Sequence, residues 1–356
     1  MLKDKTAEPL ISIVIPTYNA EKFIKYALDS VLKTNNQNFE VILVDDCSTD
    51  DTLKIASKYF SNNKKLKVFK NKRRLLAAGT RNKGCRFAKG EYIALLDHDV
   101  EVDRGWLTEA LAVFNKHSDA GVVQGVVLDL TKRSVVQHAG IKIQSYLGWV
   151  ISLGFGKDVR DVKPEEKEVV ADATGLIFKK SVWEKIGGFD EDLAINVDDW
   201  DFNWRVWLYG YKEYLAPKSI TYHWSKKQST RDRWIRRFWW EFHFAKVPWL
   251  FIKNYEMKNL AIRLPIYLSV NLFRGAVNLI RLNPSPLLAY FYALLWTLAN
   301  FDKLLNKRRT TQEARKIADS YLLTNLMDNG FIHSYFLKHW LPMVGHGRKM
   351  ATEEPY

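Results

Sequence analysis

Residues 10–46 read "LISIVIPTYNAEKFIKYALDSVLKTNNQNFEVILVDD". The opening LISIVIPTY is a short, β-branched apolar run, the kind a strand needs when both of its faces are covered. Phe23, Ile24, Ala27, Leu28, Val31 and Leu32 then recur at helical spacing. FEVILVDD is a second strand of the same kind, so the stretch spells strand, helix, strand. The pattern continues outward. STDDTLKIASKYF is a helix capped by Ser48 or Thr49, KLKVFKN a third strand, LAAGTRNKGCRFAKG a helix closing at Gly90, and EYIALLD a fourth strand. This alternation predicts an α/β fold with a mostly parallel sheet and helices on both faces.

In such sheets ligands sit outside the carboxyl ends of the strands. PTYNA, DDCSTD and DHD all fall there. Asp97 and Asp99 end an apolar strand one residue apart, although paired negative charge is costly to desolvate. Carboxylates so placed suit Mg²⁺ or Mn²⁺, which reach protein through one or two such groups while phosphate oxygens fill other positions. Asp45-Asp46 closes the second strand, where a carboxylate can accept from a base or ribose, or cap the next helix. No GxGxxG precedes it, which counts against a nicotinamide enzyme. In VDDWDFNWR, Asp198, Asp199 and Asp201 head an aromatic helix, more carboxylates than capping needs. One of them suits a general base toward a hydroxyl.

The remaining chain is less regular. AGVVQGVVLDL suggests a strand, GFGKDVRDVKPEEKE a polar, mobile loop, and the run from Val169 a strand, a short helix and a Gly-Gly turn. After about residue 226, Arg and Lys interleave with Trp and Phe in RDRWIRRFWWEFHFAKVPWLFIKNY. Two apolar stretches follow, 260–281 and 285–301, the second with 17 residues free of charge and DKLLNKRR directly after it. That is the short limit for crossing a bilayer, and a helical hairpin lying in one leaflet suits it better than a clean span. The division expected is a catalytic domain over 1–225 and a basic, aromatic helical region over 226–356.

At 356 residues, 47% hydrophobic and 13% aromatic, the composition is that of a globular protein. Cys47 and Cys85 form no CxxC and suggest neither a disulfide framework nor a zinc site. MLKDKTAEPL lacks the apolar core of a signal peptide, which points to a cytosolic folding compartment. A net charge of +14 calls for an anionic partner: nucleotide, membrane surface or nucleic acid. Acidic clusters at the ligand edge would repel a nucleic acid, so none is expected.

Taken in order, ISIVIPTYNA, VILVDDCSTDDT, RNKGCRFAKGEYIALLDHDVEVDRGWL, ATGLIFKKSVWEKIGGFDEDL and DDWDFNWRVWLYGYK resemble the family 2 glycosyltransferases of GT-A fold, most of all the bacterial rhamnosyltransferase and galactofuranosyltransferase-like branch. The resemblance covers residues 10 to 225. It implies an inverting, metal-dependent transfer from a UDP, dTDP or GDP sugar to a hydroxyl of a glycan or polyprenyl-linked acceptor, at the cytoplasmic face of the membrane. Pro16, Thr17 and Tyr18 would wall the base, Asp46 would bond base or ribose, and Arg81, beside Asn82, would meet the diphosphate. Asp97 and Asp99 form the DxD with His98 as bystander, and His223 would complete the metal site. Asp199 would be the base, with Arg205 and Trp204 behind it. Its pKa would be raised by Asp198 and Asp201, and Gly175, Asp198, Trp200 and Asp201 would lie toward the acceptor. Leu76 stands where the family commonly has glycine, and Asp198 where it has glutamate. An inactive scaffold, a nucleotidyltransferase and a nucleic-acid-binding protein are the rival readings.

Overall fold

The computed structural model describes residues 9–61, 63–224 and 233–330. The boundary drawn between 225 and 226, and the basic run that opens the second region, fall outside the described residues.

The first four expected strands are β1 (Ile11–Thr17), β2 (Phe39–Asp45), β3 (Leu66–Lys70) and β4 (Tyr92–Leu95), with α1 (Ile24–Val31), α2 (Thr52–Phe60) and α3 (Leu76–Phe87) between them. Next come β5 (Val100–Val102), α4 (Trp106–Lys116), β6 (Ala120–Asp129), β7 (Val136–His138), β8 (Ile141–Gln144), β9 (Val150–Ser152), α5 (Val159–Val162), β10 (Leu176–Lys179), α6 (Lys180–Ile186), α7 (Asp198–Leu208) and β11 (Lys212–His223). The C-terminal part is helical: α8 (Arg233–Phe244), α9 (Val247–Asn254), α10 (Met257–Ile280), α11 (Ser285–Ala299), α12 (Phe301–Glu313) and α13 (Asp319–Asn325), ending in the short β12 (Met327–Asp328).

The main sheet runs β3-β2-β1-β4-β10-β6-β11-β5, with β7 pairing β6. β3, β2, β1 and β4 are parallel, as the alternation predicts. β10 is antiparallel to both β4 and β6, so the sheet is mixed beyond its first half. β8, β9 and β12 make a small second sheet, and the pairing of β12 with β8 is long-range. Strand residues alternate between two cores. Val14, Ile42, Val44 and Leu95 face one with α3, α6 and α7, while Ile13, Ile15, Val41 and Leu43 face the other with α1 and α4. Burial on both faces is why these strands read as continuous apolar runs rather than alternating ones.

The 154–168 segment contains the short α5 and several side-chain contacts. Asp158 caps α5 by accepting from the Arg160 N–H at 2.9 Å, and Glu166 sits 2.6 Å from His117 Nε2. Glu168 pairs with Lys212 at 2.8 Å. Its charges, read as a solvated loop, have partners on α4 and β11.

The C-terminal helices share a core with the sheet half. Trp204 of α7 packs edge-on against Tyr255, ring centroids 4.7 Å apart. Around that core lies a buried ion network. Lys253 on α9 is 2% exposed and reaches both Asp190 and Asp201, the latter at 2.7 Å. Lys307 on α12 reaches Asp190 and Asp192. A buried carboxylate needs such partners, because an uncompensated charge in the interior is strongly destabilising. Lys253→Met is therefore expected to cost about 3–5 kcal/mol in urea unfolding, and an unchanged midpoint would show that the network does not hold the two regions together.

Candidate active site

Three parallel strands deliver the site. β1, β2 and β4 end together, and β4 turns at Asp97-His98-Asp99 into β5, the turn closed by the Val100 N–H on the Asp97 carbonyl at 3.2 Å. Opposite it, the N-terminus of α7 presents Asp198 and Asp199. What joins the two is Arg81, on a buried face of α3. Its Nη1 donates to Asp198 Oδ2 at 2.8 Å and its Nη2 lies 3.5 Å from Asp97 Oδ1. Burial alone would lower the Arg81 pKa, but Asp198, Asp97 and Asp199 outweigh that and raise it. Arg81 is thus paired with carboxylates on both sides of the site.

Asp99 faces β11. Its Oδ1 lies 3.6 Å from His223 Nε2, and His223 Nδ1 is 2.8 Å from Gln137 Oε1. Burial would raise the Asp99 pKa, yet the His223 contact brings it below the usual carboxylate value; burial would lower His223, and Asp99 raises it. The two residues that the resemblance assigns to one metal site thus lie against each other. Among the described residues, no group of three or more His, Cys, Asp or Glu side chains stands ready to hold an ion. Asp97 and Asp99 are the oxygen donors from which a hard cation such as Mg²⁺ or Mn²⁺ takes one or two ligands while phosphate oxygens complete its shell.

Asp199 is 6% exposed, and its Oδ2 accepts from the Ala173 N–H at 3.2 Å. Burial, then Asp172, then Asp198 push its pKa well above the usual carboxylate range. Asp172 was not singled out in the sequence, whereas the expected contributor Asp201 points elsewhere. Asp201 is fully buried and turned to the far side of α7, bonded to Arg205 Nε at 2.8 Å, Asn254 Nδ2 at 3.1 Å and Lys253. Trp200 packs against Phe244 of α8 at 5.7 Å. These two residues serve the junction with the C-terminal helices and do not face an acceptor. Arg205 lies behind the acidic turn as expected, donating to the Ile186 and Gly188 carbonyls. Gly175, just before β10, has φ +73°, and a Cβ there would lie 2.8 Å from Thr221 Cγ2, so a residue with a side chain would fit neither the backbone nor the space.

His138 also belongs to this site and was missed. It is 4% exposed, its Nε2 lies 3.5 Å from Asp172 Oδ1, and its Nδ1 has no hydrogen-bond partner. Arg81 Nε and Asp198 Oδ1 are buried and unpartnered as well. A lone histidine in an irregular stretch gives no sequence signal.

At the nucleotide side, Tyr18 is partly exposed and Thr17 buried, while the Pro16 carbonyl lies 3.4 Å from His98 Nδ1, so His98 ties the DHD turn to β1. Asp46 departs from its expected role. Its Oδ1 accepts from Asn71 Nδ2 and the Leu75 N–H, both at 2.8 Å, and its Oδ2 from Arg74 Nε and the Leu76 N–H, both at 3.0 Å. It anchors the 71–76 loop, with no oxygen left over for a base or ribose. Arg74 then stacks on Tyr18, 3.3 Å from the ring centroid. Leu76 has φ +59°, the left-handed conformation that glycine adopts freely, so the family's glycine there has a backbone reason.

Residues 12–186 match the model of the family described as "Glycosyl transferase family 2". These residues form a family 2 glycosyltransferase domain. It is 26% identical over 272 residues to the putative teichuronic acid biosynthesis glycosyltransferase TuaG of Bacillus subtilis, covering 71% of this chain and 98% of that one. It is 36% identical over 116 residues to glycosyltransferase GlyG of Streptococcus pneumoniae; the match covers 33% of this chain and little more than a third, 38%, of that relative. The fold is shared with Staphylococcus aureus TarS 1-349 in complex with UDP-GlcNAc: TM-score 0.55, 21% identity, 85% of this chain and 90% of that one.

The sign of the Asp199 shift gives a test. A carboxyl whose folded pKa is raised stabilises below its unfolded pKa and loses that contribution as pH rises through the folded value. Asp199→Asn is therefore expected to be more stable than wild type at neutral pH by roughly 1–3 kcal/mol. The gap should close as pH falls toward 4, followed by thermal melts across pH; a variant less stable at pH 7.5 would refute the buried, raised carboxyl.

Proposed function

We propose that the protein is an inverting, metal-dependent glycosyltransferase that moves a sugar from a nucleoside-diphosphate sugar to a hydroxyl of a glycan or lipid-linked acceptor in cell-surface polysaccharide assembly. The observation that carries the reading is the Arg81 bridge, which sets a buried carboxyl with a raised pKa beside the DHD turn. The relatives named for teichuronic acid synthesis and the fold shared with a UDP-GlcNAc complex support the donor and product classes.

Asp199 takes the proton of the attacking hydroxyl, its raised pKa suiting a base near neutral pH. The Ala173 N–H fixes Oδ2 and so the direction in which Oδ1 meets the acceptor. Asp97, Asp99 and His223 would hold a divalent ion, and such an ion would supply positive charge toward a diphosphate leaving group. Arg74, on the open face of Tyr18 and 40% exposed at its side chain, is better placed than Arg81 to meet the donor. One base with single displacement gives inversion of the anomeric centre. Residues up to 225 carry this chemistry. The region from 226 holds the enzyme at the cytoplasmic face of the membrane near a lipid-linked acceptor; the free thiols of Cys47 and Cys85 suit that reducing compartment.

Asp199→Asn is expected to lower turnover by about 10²–10⁴ while nucleotide binding persists. Thermal shift with UDP, GDP and dTDP, each with and without Mn²⁺, should show metal-dependent stabilisation by one of them, lost in Asp99→Asn. At about 100-fold over Kd that stabilisation approaches ~2.7 kcal/mol. No shift from any nucleotide would remove the donor site from the reading.

A further inference from the structure

The segment 171–174 runs past Asp199 between the bridge at Val170 and β10, and it belongs to no strand. Its backbone is held by side chains instead. The Ala171 N–H donates to Glu213 Oε2 of β11 at 2.7 Å, and the Asp172 N–H to Gln124 Oε1 of β6 at 2.9 Å. The Ala173 N–H donates to Asp199, and the Thr174 N–H to Asp172 Oδ1 at 3.1 Å. On the carbonyl side, Asn203 Nδ2 donates to Ala171 at 2.8 Å and Gln124 Nε2 to Thr174 at 3.0 Å. Asn203 lies one turn beyond Asp199 on α7, so the helix grips the segment at two points.

Gln124 has the central part. It interrupts the apolar run from Val122 to Val127 in the middle of β6 and is wholly buried. A buried amide costs free energy unless its donors and acceptor are met. Here Oε1 takes the Asp172 N–H, while Nε2 serves the Thr174 carbonyl and, at 3.0 Å, that of Gly125. One side chain thus brackets residue 173 from both sides. Residue 173 supplies the N–H on Asp199, and residue 172 the carboxylate that, after burial, does most to raise the Asp199 pKa. That carboxylate is fixed in turn by the Thr174 N–H and by His138 Nε2 at 3.5 Å. Glu213 and Asn203, also wholly buried, hold the near end of the segment at Ala171.

We propose that Gln124 is a positioning residue for Asp199: its amide clamps Asp172 and Thr174, so that the Ala173 N–H and the Asp172 carboxylate meet the base in one fixed arrangement. Gln124 itself touches no reacting atom. It acts through the segment, setting which Asp199 oxygen is tied to the backbone and which is left to receive a proton. This deepens the proposed transfer chemistry and rests on Asp199 as its base.

The experiment is a double-mutant cycle read by thermal melts of the full chain at pH 7.5. Asp199→Asn is made in wild type, in Gln124→Met and in Gln124→Glu. Methionine is close to glutamine in length and removes all three hydrogen bonds; glutamate is isosteric and keeps an oxygen for the Asp172 N–H. Either change alone lowers the melting temperature, as loss of a purely structural amide would. The coupling separates the two roles, because substitutions that do not act on one another add. Asp172 weighs more on Asp199 than the Ala173 bond does, so a loosened segment shrinks the rise that Asp199→Asn produces. That rise is expected to fall by about half or more in Gln124→Met, and by less in Gln124→Glu. An equal rise in all three backgrounds, a larger one in Gln124→Met, or none in wild type overturns the proposal. Should Gln124→Met not melt cooperatively, Gln124→Glu decides alone: a smaller rise supports the clamp and an equal one overturns it. A wild type that neither UDP, GDP nor dTDP stabilises with Mn²⁺ would fault the donor reading and leave the cycle standing.

Discussion

The cleft depends on one guanidinium. Asp97, Asp172, Asp198 and Asp199 converge at the strand ends, and like charges so close repel one another in a medium of low dielectric. Arg81 reaches two of them and keeps the α7 N-terminus against the DHD turn. Its own position is set by packing: a Cβ on Gly84 of the same helix would lie 2.3 Å from Val14 Cγ1, so α3 lies tight on β1 only because that residue has no side chain. Asn82 then bonds the Phe189 carbonyl and N–H at 2.9 Å each, tying α3 to the loop that leads into α7. Close packing, a buried cation and an acidic helix end are therefore one construction.

The segment from Asp190 to Asp201 works in two directions. Asp198 and Asp199 look into the cleft, while Asp190, Asp192 and Asp201 bind lysines of α9 and α12. This changes the meaning of the positive charge. Lys253 and Lys307 are engaged inside the molecule, so part of the excess of +14 serves internal carboxylates and not a ligand. It also means that α9 is fastened to the helix carrying Asp199 through Lys253 and Asp201, and α12 to the loop before that helix through Lys307.

Much of this was legible from the chain. Strands buried on both faces leave apolar runs, helices leave their period, and the parallel half of the sheet followed from their alternation. The acidic clusters were legible because carboxylates are improbable at buried strand ends without a purpose. Residues whose role depends on a partner far along the chain were not. Asp46 looks like a ribose ligand until Arg74 and the 75–76 amides are seen to take both oxygens. Asp201 looks like a third catalytic carboxylate until Lys253 and Asn254, some fifty residues later, are seen against it.

By itself, then, the sequence determined the α/β alternation, the strand edge at which the acidic clusters gather, and the residue types found there, because local periodicity and turn chemistry act between near neighbours. Tertiary structure alone decided which carboxylates face the cleft and which face the C-terminal helices, that His138 and Asp172 join the site, and that Leu76 takes the left-handed backbone of a glycine. Each of those outcomes rests on contacts between distant segments or on a backbone dihedral, and neither is written in the spacing of residues along the chain.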